Sequence, residues 1–293
     1  MAHLPAIRIP RMHNLAEQDA PAGDLFRLKA FLGQHSRILV LTGAGLSTAS
    51  GIPAYRNADG HWIRRDPILF QDFVRYATTR RRYWARSFLG WPLIRAGQPN
   101  AAHHALAEME HHGRVSLLVT QNVDGLHRQA GSRALVELHG SLSEVGCMAC
   151  RARIDRDQLQ AELTSLNPDW TPKVLEFRPD GDAELDERAY PGFRTVDCAH
   201  CGGILKPEVV FFGESVPAER SQAISQALSE SDAVLVVGSS LVVMSGYRIV
   251  RQARSMGLAV AAINNGRTRA DDLLDFKVGG DCVAVLSACT ARL

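Results

Sequence analysis

Four short apolar runs punctuate the chain, and each ends in small polar residues. RILVLT (37–42) stops at Gly43; VSLLVTQN (115–122), AVLVVGSS (233–240) and LAVAAINN (258–265) repeat the design. Their apolarity is nearly continuous rather than alternating, as strands covered on both faces require, and ligand-binding loops follow the carboxyl ends of such strands. Between them the apolar positions move to helical spacing. PNAAHHALAEMEHHG (99–113) places Ala102, Leu106 and Met109 on one stripe and stops at Gly113. PAERSQAISQALSESD (217–232) opens with a proline near its first turn. This alternation predicts an α/β fold with a Rossmann-like, doubly wound parallel sheet.

Two stretches break the pattern. Between about 142 and 205 the chain is rich in Pro, Gly and acids, with no clear period. It reads as a small module, 142–204, inserted into a sheet domain made of 25–141 and 205–293, after an N-terminal arm, 1–24. An Arg-rich segment at about 60–96 reads as a helical insertion in the sheet domain. At 293 residues and 46% hydrophobic content the chain can bury a sizeable core, and a net charge of +2 gives no reason to expect nucleic acid. Only four of its 33 basic residues are Lys, a bias that reflects genome composition rather than a binding surface. No apolar run reaches the ~18 residues of a membrane span, and the first residues lack a secretory apolar core. The expectation is a monomer in the bacterial cytoplasm, or the mitochondrial matrix if the source is eukaryotic.

Cysteine usage changes the picture. CMAC (147–150) and CAHC (198–201) hold four of the six cysteines. Without a secretory signal, two Cys-x-x-Cys pairs read as thiolate ligands rather than disulfides. Cys147, Cys150, Cys198 and Cys201 would complete a tetrahedral Zn²⁺ shell with no position left for water, so the metal is expected to be structural. Its loss should unfold the module.

LTGAGLSTASG (41–51) carries Gly43, Ala44 and Gly45 directly after a strand, with a helix expected near Ser47 or Thr48. Glycines allow a tight turn and close backbone approach to phosphate, and a helix N-terminus adds positive potential. The dehydrogenase fingerprint is incomplete, since Thr48 stands where its last glycine belongs, and the P-loop Gly-Lys-Ser/Thr is absent. Further polar strand ends follow, TQNVDGLH (120–127), LHGS (138–141), VGSSL (237–241) and INNG (263–266), with KPEVVFFGE (206–214) between the second and third.

In this order the motifs resemble the sirtuins, NAD-dependent protein-lysine deacylases, over about residues 25–282. RYWARSFLGWP (82–92), LNPDW (166–170), PDGD (179–182) and SGYRIV (245–250) resemble class II, the sirtuin-4 group and its bacterial relatives. The resemblance implies that NAD is consumed: the acyl-lysine oxygen attacks the nicotinamide ribose, nicotinamide leaves, and the acyl group ends on ADP-ribose. His139 would be the general base, neutral near pH 7 as imidazole allows, with Asn122 the second catalytic residue. Gln121, Asn122 and Asp124 would line the nicotinamide and ribose pocket. Gly43, Ala44, Gly45 and Arg56 would meet the phosphates and reacting ribose, Gly238, Ser239 and Ser240 phosphate and ribose, Asn264 the adenosine ribose, and the Cys282 backbone the adenine.

Acyl-lysine proteins are the implied partners, inserting a strand beside Val210, Phe211, Gly213 and Glu214. His127 would be a surface or supporting residue. Ala54 replaces the family's usual acid and Tyr55 its usual Phe. Tyr83 and Arg86, three apart on one helical face, match the spacing by which class III sirtuins bind a substrate carboxylate, and are expected to border the acyl pocket. Two rivals remain: a mono-ADP-ribosyltransferase on the same scaffold, and a non-catalytic zinc module that binds nucleic acid or a partner. Near-neutral charge and the full set of polar strand ends count against the second.

Overall fold

The structure is a computed structural model and describes residues 16, 18–53, 67–177 and 181–290. In chain order its elements are β1 (Ala22–Gly23), α1 (Leu25–Gln34), β2 (Ile38–Thr42), α2 (Phe70–Arg75), α3 (Ala77–Ala96), α4 (Ala101–His111), β3 (Val115–Thr120), α5 (Leu126–Gln129), β4 (Leu135–Glu137) and β5 (Gly140–Cys147). They continue with β6 (Arg153–Asp155), α6 (Arg156–Leu166), β7 (Val174–Phe177), β8 (Ala183–Leu185), β9 (Leu205–Val209), α7 (Ala218–Glu230), β10 (Ala233–Val237), α8 (Met244–Ser255), β11 (Ala259–Ile263), β12 (Phe276–Val278) and α9 (Cys282–Thr290). Among the described residues no helix is long and apolar enough to cross a membrane.

Two compact units emerge. The first is a sheet unit, formed by the described residues up to 53, by 97–138 and by 216–290. Its seven strands are all parallel, in the order β1-β12-β11-β10-β2-β3-β4. Every residue of β2 and β10 is buried. Ile38 and Val40 of β2 join a core with Leu28, Leu32, Leu106 and Leu286, while Leu39 and Leu41 join another with Ile224, Leu228, Ile249 and Val250. Two covered faces explain why these strands show no polar alternation. The helices start where their caps dictate. Asp24 accepts the Arg27 N–H at 2.8 Å to open α1, and Asn100 with His103 forms a capping box on α4. The chain passes from β2 to β3 and β4 on one side, then resumes at β10 on the other side of β2. That reversal makes a topological switch point between β2 and β10, where open α/β sheets bind ligands.

The second unit holds residues 67–96 and 139–215. Strand β5 pairs antiparallel with β6 and β9, and β7 with β8. Phe73, Tyr83, Trp84, Leu159, Leu163, Phe193 and Phe211 share its core. The module expected over 142–204 thus lies within a larger unit, and α2 and α3 of the expected helical insertion pack in that same unit. The stretch read as aperiodic contains the 11-residue α6, whose Leu159 and Leu163 are buried and whose N-cap Asp155 accepts the Asp157 N–H.

Candidate functional site

In the sheet unit, the loops after β2 and β10 meet at the switch point. Gly43 N–H donates to Val237 O (3.0 Å) and Gly45 N–H to Gly238 O (2.9 Å). A Cβ on Gly45 would lie 2.9 Å from the Gly238 oxygen, and one on Gly43 2.7 Å from Ser239 Cβ, so the glycines let the two loops touch. The helix expected near Ser47 is instead a pair of 3₁₀ turns, Ala44–Leu46 and Thr48–Ser50. Hydroxyls here compete for backbone groups, as the Thr48 Oγ1 bond to Gly45 O (3.1 Å) shows, and Gly51 at φ +81° ends the second turn. The N–H groups of Gly43, Gly45, Leu46 and Ser47 are already paired within the protein.

Polar side chains from the ends of β3 and β10 converge on this turn. Asn122 Nδ2 donates to Ser47 Oγ (3.0 Å) and Gly43 O (3.2 Å), and Ser47 Oγ donates to Asp124 Oδ2 (2.8 Å). Gln121 Nε2 donates to Ser239 Oγ (2.7 Å), with Gly246 pressed against the Gln121 amide. Burial raises the Asp124 carboxyl above its ordinary value, against the Leu126 N–H and the Ser47 hydroxyl, which lower it. Ser240 O accepts the Arg269 N–H (2.8 Å), and Leu241 beside it takes φ +54°. Asn264 lies at the end of β11, its Nδ2 on the oxygens of Asn265 and Gly266 (both 3.3 Å). Cys282 is buried, its Sγ 3.7 Å from Ile263 O, and burial pushes its thiol up to about 12, so the side chain is inert. Arg56, Ala54 and Tyr55 fall outside the described residues.

In the second unit His139 is half-buried, and its carbonyl accepts the Val210 N–H at 2.8 Å. Gly140 follows with φ +84°, and a Cβ there would collide with the Glu208 carbonyl, so only glycine fits behind this histidine. Lys206 Nζ donates to Val209 O (2.6 Å) and to Glu214 Oε2 (3.2 Å), which also accepts the Phe211 N–H (2.9 Å). The Glu214 carboxylate, expected at the substrate, therefore fixes its own loop. Phe212 O accepts the Phe70 N–H (2.9 Å), and the Gly213 carbonyl faces Gln71 (3.4 Å).

Cys147, Cys150, Cys198 and Cys201 place their sulfurs within 4.8 Å of one another. Cys147 and Cys201 Sγ are 3.5 Å apart, Cys150 and Cys198 Sγ 3.7 Å. A tetrahedron with Zn–S of ~2.3 Å has edges of about 3.8 Å, so the four thiols fit that ion. The two knuckles match: Gly202, like Arg151, stands four residues after the first cysteine of its pair, at φ 71° and 62°. Backbone N–H groups of Cys150, then Ala149, draw the Cys147 thiol down to about 6. Cys150, lowered by the Ala152 N–H but raised by Cys201 and other neighbours, is pushed up to about 12.

A model of the Sir2 family matches residues 43–245. The chain belongs to the Sir2 family. It is 53% identical over 269 residues to an NAD-dependent protein deacetylase of Bordetella bronchiseptica, covering 92% of this chain and 98% of the relative. It is 49% identical over 266 residues to the NAD-dependent protein deacylase Sirt4 of Drosophila melanogaster, covering 90% and 85%. A solved Sir2 structure with a p53 peptide and NAD+ superposes with a TM-score of 0.71 at 26% identity, over 90% of this chain and 96% of that one.

Tyr83 and Arg86, expected at the acyl pocket of this Sir2 protein, both lie buried in the second unit. Arg86 is 2% exposed, with Nη2 3.1 Å from Asp182 Oδ2 and 4.0 Å from Glu184 Oε2, and Nε donating to Ala183 O at 3.3 Å. Its guanidinium fork is used inside the unit and is not free for a substrate carboxylate. Tyr83 is buried too, its ring against Phe73, Trp84 and Phe211. Sequence reasoning passed over Ser47, which joins Asn122 to Asp124, and Lys206. Ser47 lies within the recognised loop motif, and Lys206 is one of the few lysines in an arginine-biased chain.

Proposed function

We propose that this Sir2 protein is an NAD-dependent protein-lysine deacylase that transfers the acyl group to ADP-ribose and releases nicotinamide. The observation that carries it is the polar network at the switch point, Gln121, Asn122, Asp124, Ser47 and Ser239, in a chain of this family. Bound NAD supplies a ribose carbon that accepts the acyl oxygen as nicotinamide departs. Asp124 would accept hydrogens of the nicotinamide amide, and Asn122 would hold ribose hydroxyls. Gly238, Ser239 and Ser240 would hold phosphate and ribose, Asn264 the second ribose, and Arg56 the reacting end. His139 would take the proton from a ribose hydroxyl at its imidazole, its backbone held by Val210 and Gly140. Val210 and Phe211 would flank the acyl-lysine. The four cysteines would hold one structural Zn²⁺, with no ligand position open for catalysis. The bacterial relatives support a cytoplasmic setting.

The test is nicotinamide release from NAD with acetyl-, succinyl-, butyryl-, lipoyl- and biotinyl-lysine peptides, beside His139→Ala. Release that requires one acyl peptide and vanishes in the variant supports the proposal and names the acyl class. Release without any peptide, with ADP-ribose appearing on a protein, would replace it with the transferase reading.

A further inference from the structure

Behind the nucleotide turn lie two histidines that the proposed chemistry leaves unused. His127, on α5, is 1% exposed, and its Nε2 is 2.9 Å from Oγ1 of Thr42, the residue just before the turn. His103, on α4, is fully buried, and its Nδ1 accepts the Asn100 N–H at 3.2 Å. Asn100 Nδ2 donates onward to Leu46 O (2.8 Å) and Ser50 Oγ (3.0 Å), at the exit of the turn. The two imidazoles lie 4.8 Å apart, tilted by 56°. Among the described residues each keeps one buried nitrogen without a partner, Nε2 on His103 and Nδ1 on His127. Burial, and secondly His103, holds His127 at about 3; burial, and secondly His104, holds His103 at about 4, so both rings are neutral at pH 7.

The Asn100 bond sets the His103 tautomer, and one of the two directions open to the Thr42–His127 contact complements it. Accepting at Nδ1 puts the His103 proton on Nε2. A His127 that donates from Nε2 to Thr42 presents Nδ1 as an acceptor. The two remaining nitrogens are then a donor and an acceptor, a complementary pair that one buried water would bridge.

We infer that His127 and His103 form a neutral brace, from Thr42 at the entry of the turn to Leu46 and Ser50 at its exit, and that His127 is a positioning residue for NAD. The inference rests on reading this turn as the NAD site. Phenylalanine at 127 keeps the ring's bulk but offers Thr42 no partner and His103 no acceptor.

The experiment measures NAD affinity of the full, zinc-loaded chain by calorimetry. His127→Phe raises the dissociation constant about tenfold, the scale of one buried hydroxyl left unpaired, while KM for the acyl peptide stays unchanged. Thr42→Val gives the same loss, and the double variant loses no more than either alone, because all three remove one bond. Nitrogen-15 spectra of the wild type place the proton of both histidines on Nε2 at pH 7. A folded His127→Phe with unchanged NAD affinity, additive losses in the double variant, or a His127 proton on Nδ1 would each overturn the brace. A wild-type chain that binds no NAD overturns the NAD reading instead, and the tautomer measurement then decides the brace alone.

Discussion

Replacing Arg86 should unfold the cysteine-bearing unit rather than retune its choice of acyl group. The guanidinium is 2% exposed and the Asp182 side chain 6%, at 3.1 Å, so both charges are out of water. At an effective dielectric of ~20 their attraction is about 5 kcal/mol, most of it offset by the cost of desolvating both ions. Arg86→Met removes the attraction and leaves the buried Asp182 carboxylate without its Arg86 contact, with Arg156 acting on it and Glu184 only partly exposed nearby. The expected loss is about 3–5 kcal/mol, which consumes much of the 5–15 kcal/mol that holds a typical protein folded. Arg86→Met combined with Asp182→Leu should recover most of it, since the paired apolar replacement removes the buried carboxylate together with its guanidinium. Urea denaturation, followed by tryptophan emission (Trp84 and Trp91 lie in the same unit), gives both values. A single variant that loses less than about 1 kcal/mol while its acyl preference shifts would refute this reasoning and restore Arg86 to the acyl pocket.

Cys150→Ser should lower bound zinc from one per chain to none, read by metal analysis, and raise hydrogen exchange along β5 and β9, because ligation and folding are coupled. Lys206→Met frees the Val209 carbonyl and the Glu214 carboxylate, so KM for an acyl peptide should rise about tenfold with NAD affinity unchanged; equal losses for both substrates would count against a role confined to this loop. Acid should destabilise the chain before its carboxylates titrate. His103 and His127 sit at about 4 and about 3 in the fold against an ordinary 6.5, so the unfolded chain binds more protons below that value. Their contribution is complete above pH 6.5 and falls as pH drops towards 4, by about 2 kcal/mol for the pair between pH 7 and 5.5. The raised carboxyl of Asp124 acts in the opposite sense. Urea midpoints across that range should show the loss, and His127→Phe should halve its slope.

What could be read in the sequence was what local chemistry determines. Strands β2, β10 and β11 were legible because burial on both faces leaves nothing but apolar residues, and the cysteine pairs because ligand spacing is itself a geometric statement. Helix α6 was hidden: Leu159 and Leu163 carry its spacing, but Pro, Gly and acids around it dominate the window. The partners of Arg86 were hidden for a different reason. Its spacing from Tyr83 is local, whereas its partners Asp182 and Glu184 come from β8 and the residue before it, far along the chain, and no periodicity reports that pairing. The turn after β2 likewise looked like a helix start, yet the Thr48 hydroxyl takes the Gly45 carbonyl and the segment closes as two 3₁₀ turns.

That split bears on how NAD would be held. Two three-residue turns carry little of the dipole that a full helix directs at a phosphate, and four N–H groups of the turn are spent on the protein itself. There is no P-loop lysine either. On the proposed reading, affinity therefore comes from dispersed side-chain amides and hydroxyls at Asn122, Ser239, Ser240 and Asn264, backed by the Asn100–His103 and His127–Thr42 contacts. Each such bond is worth about 1 kcal/mol net. A grip built from many weak bonds suits a co-substrate that is broken and released at every turnover, whereas a resident redox cofactor gains from being held between cycles. The same geometry makes affinity sensitive to the brace, because small displacements of one turn weaken several of these bonds together.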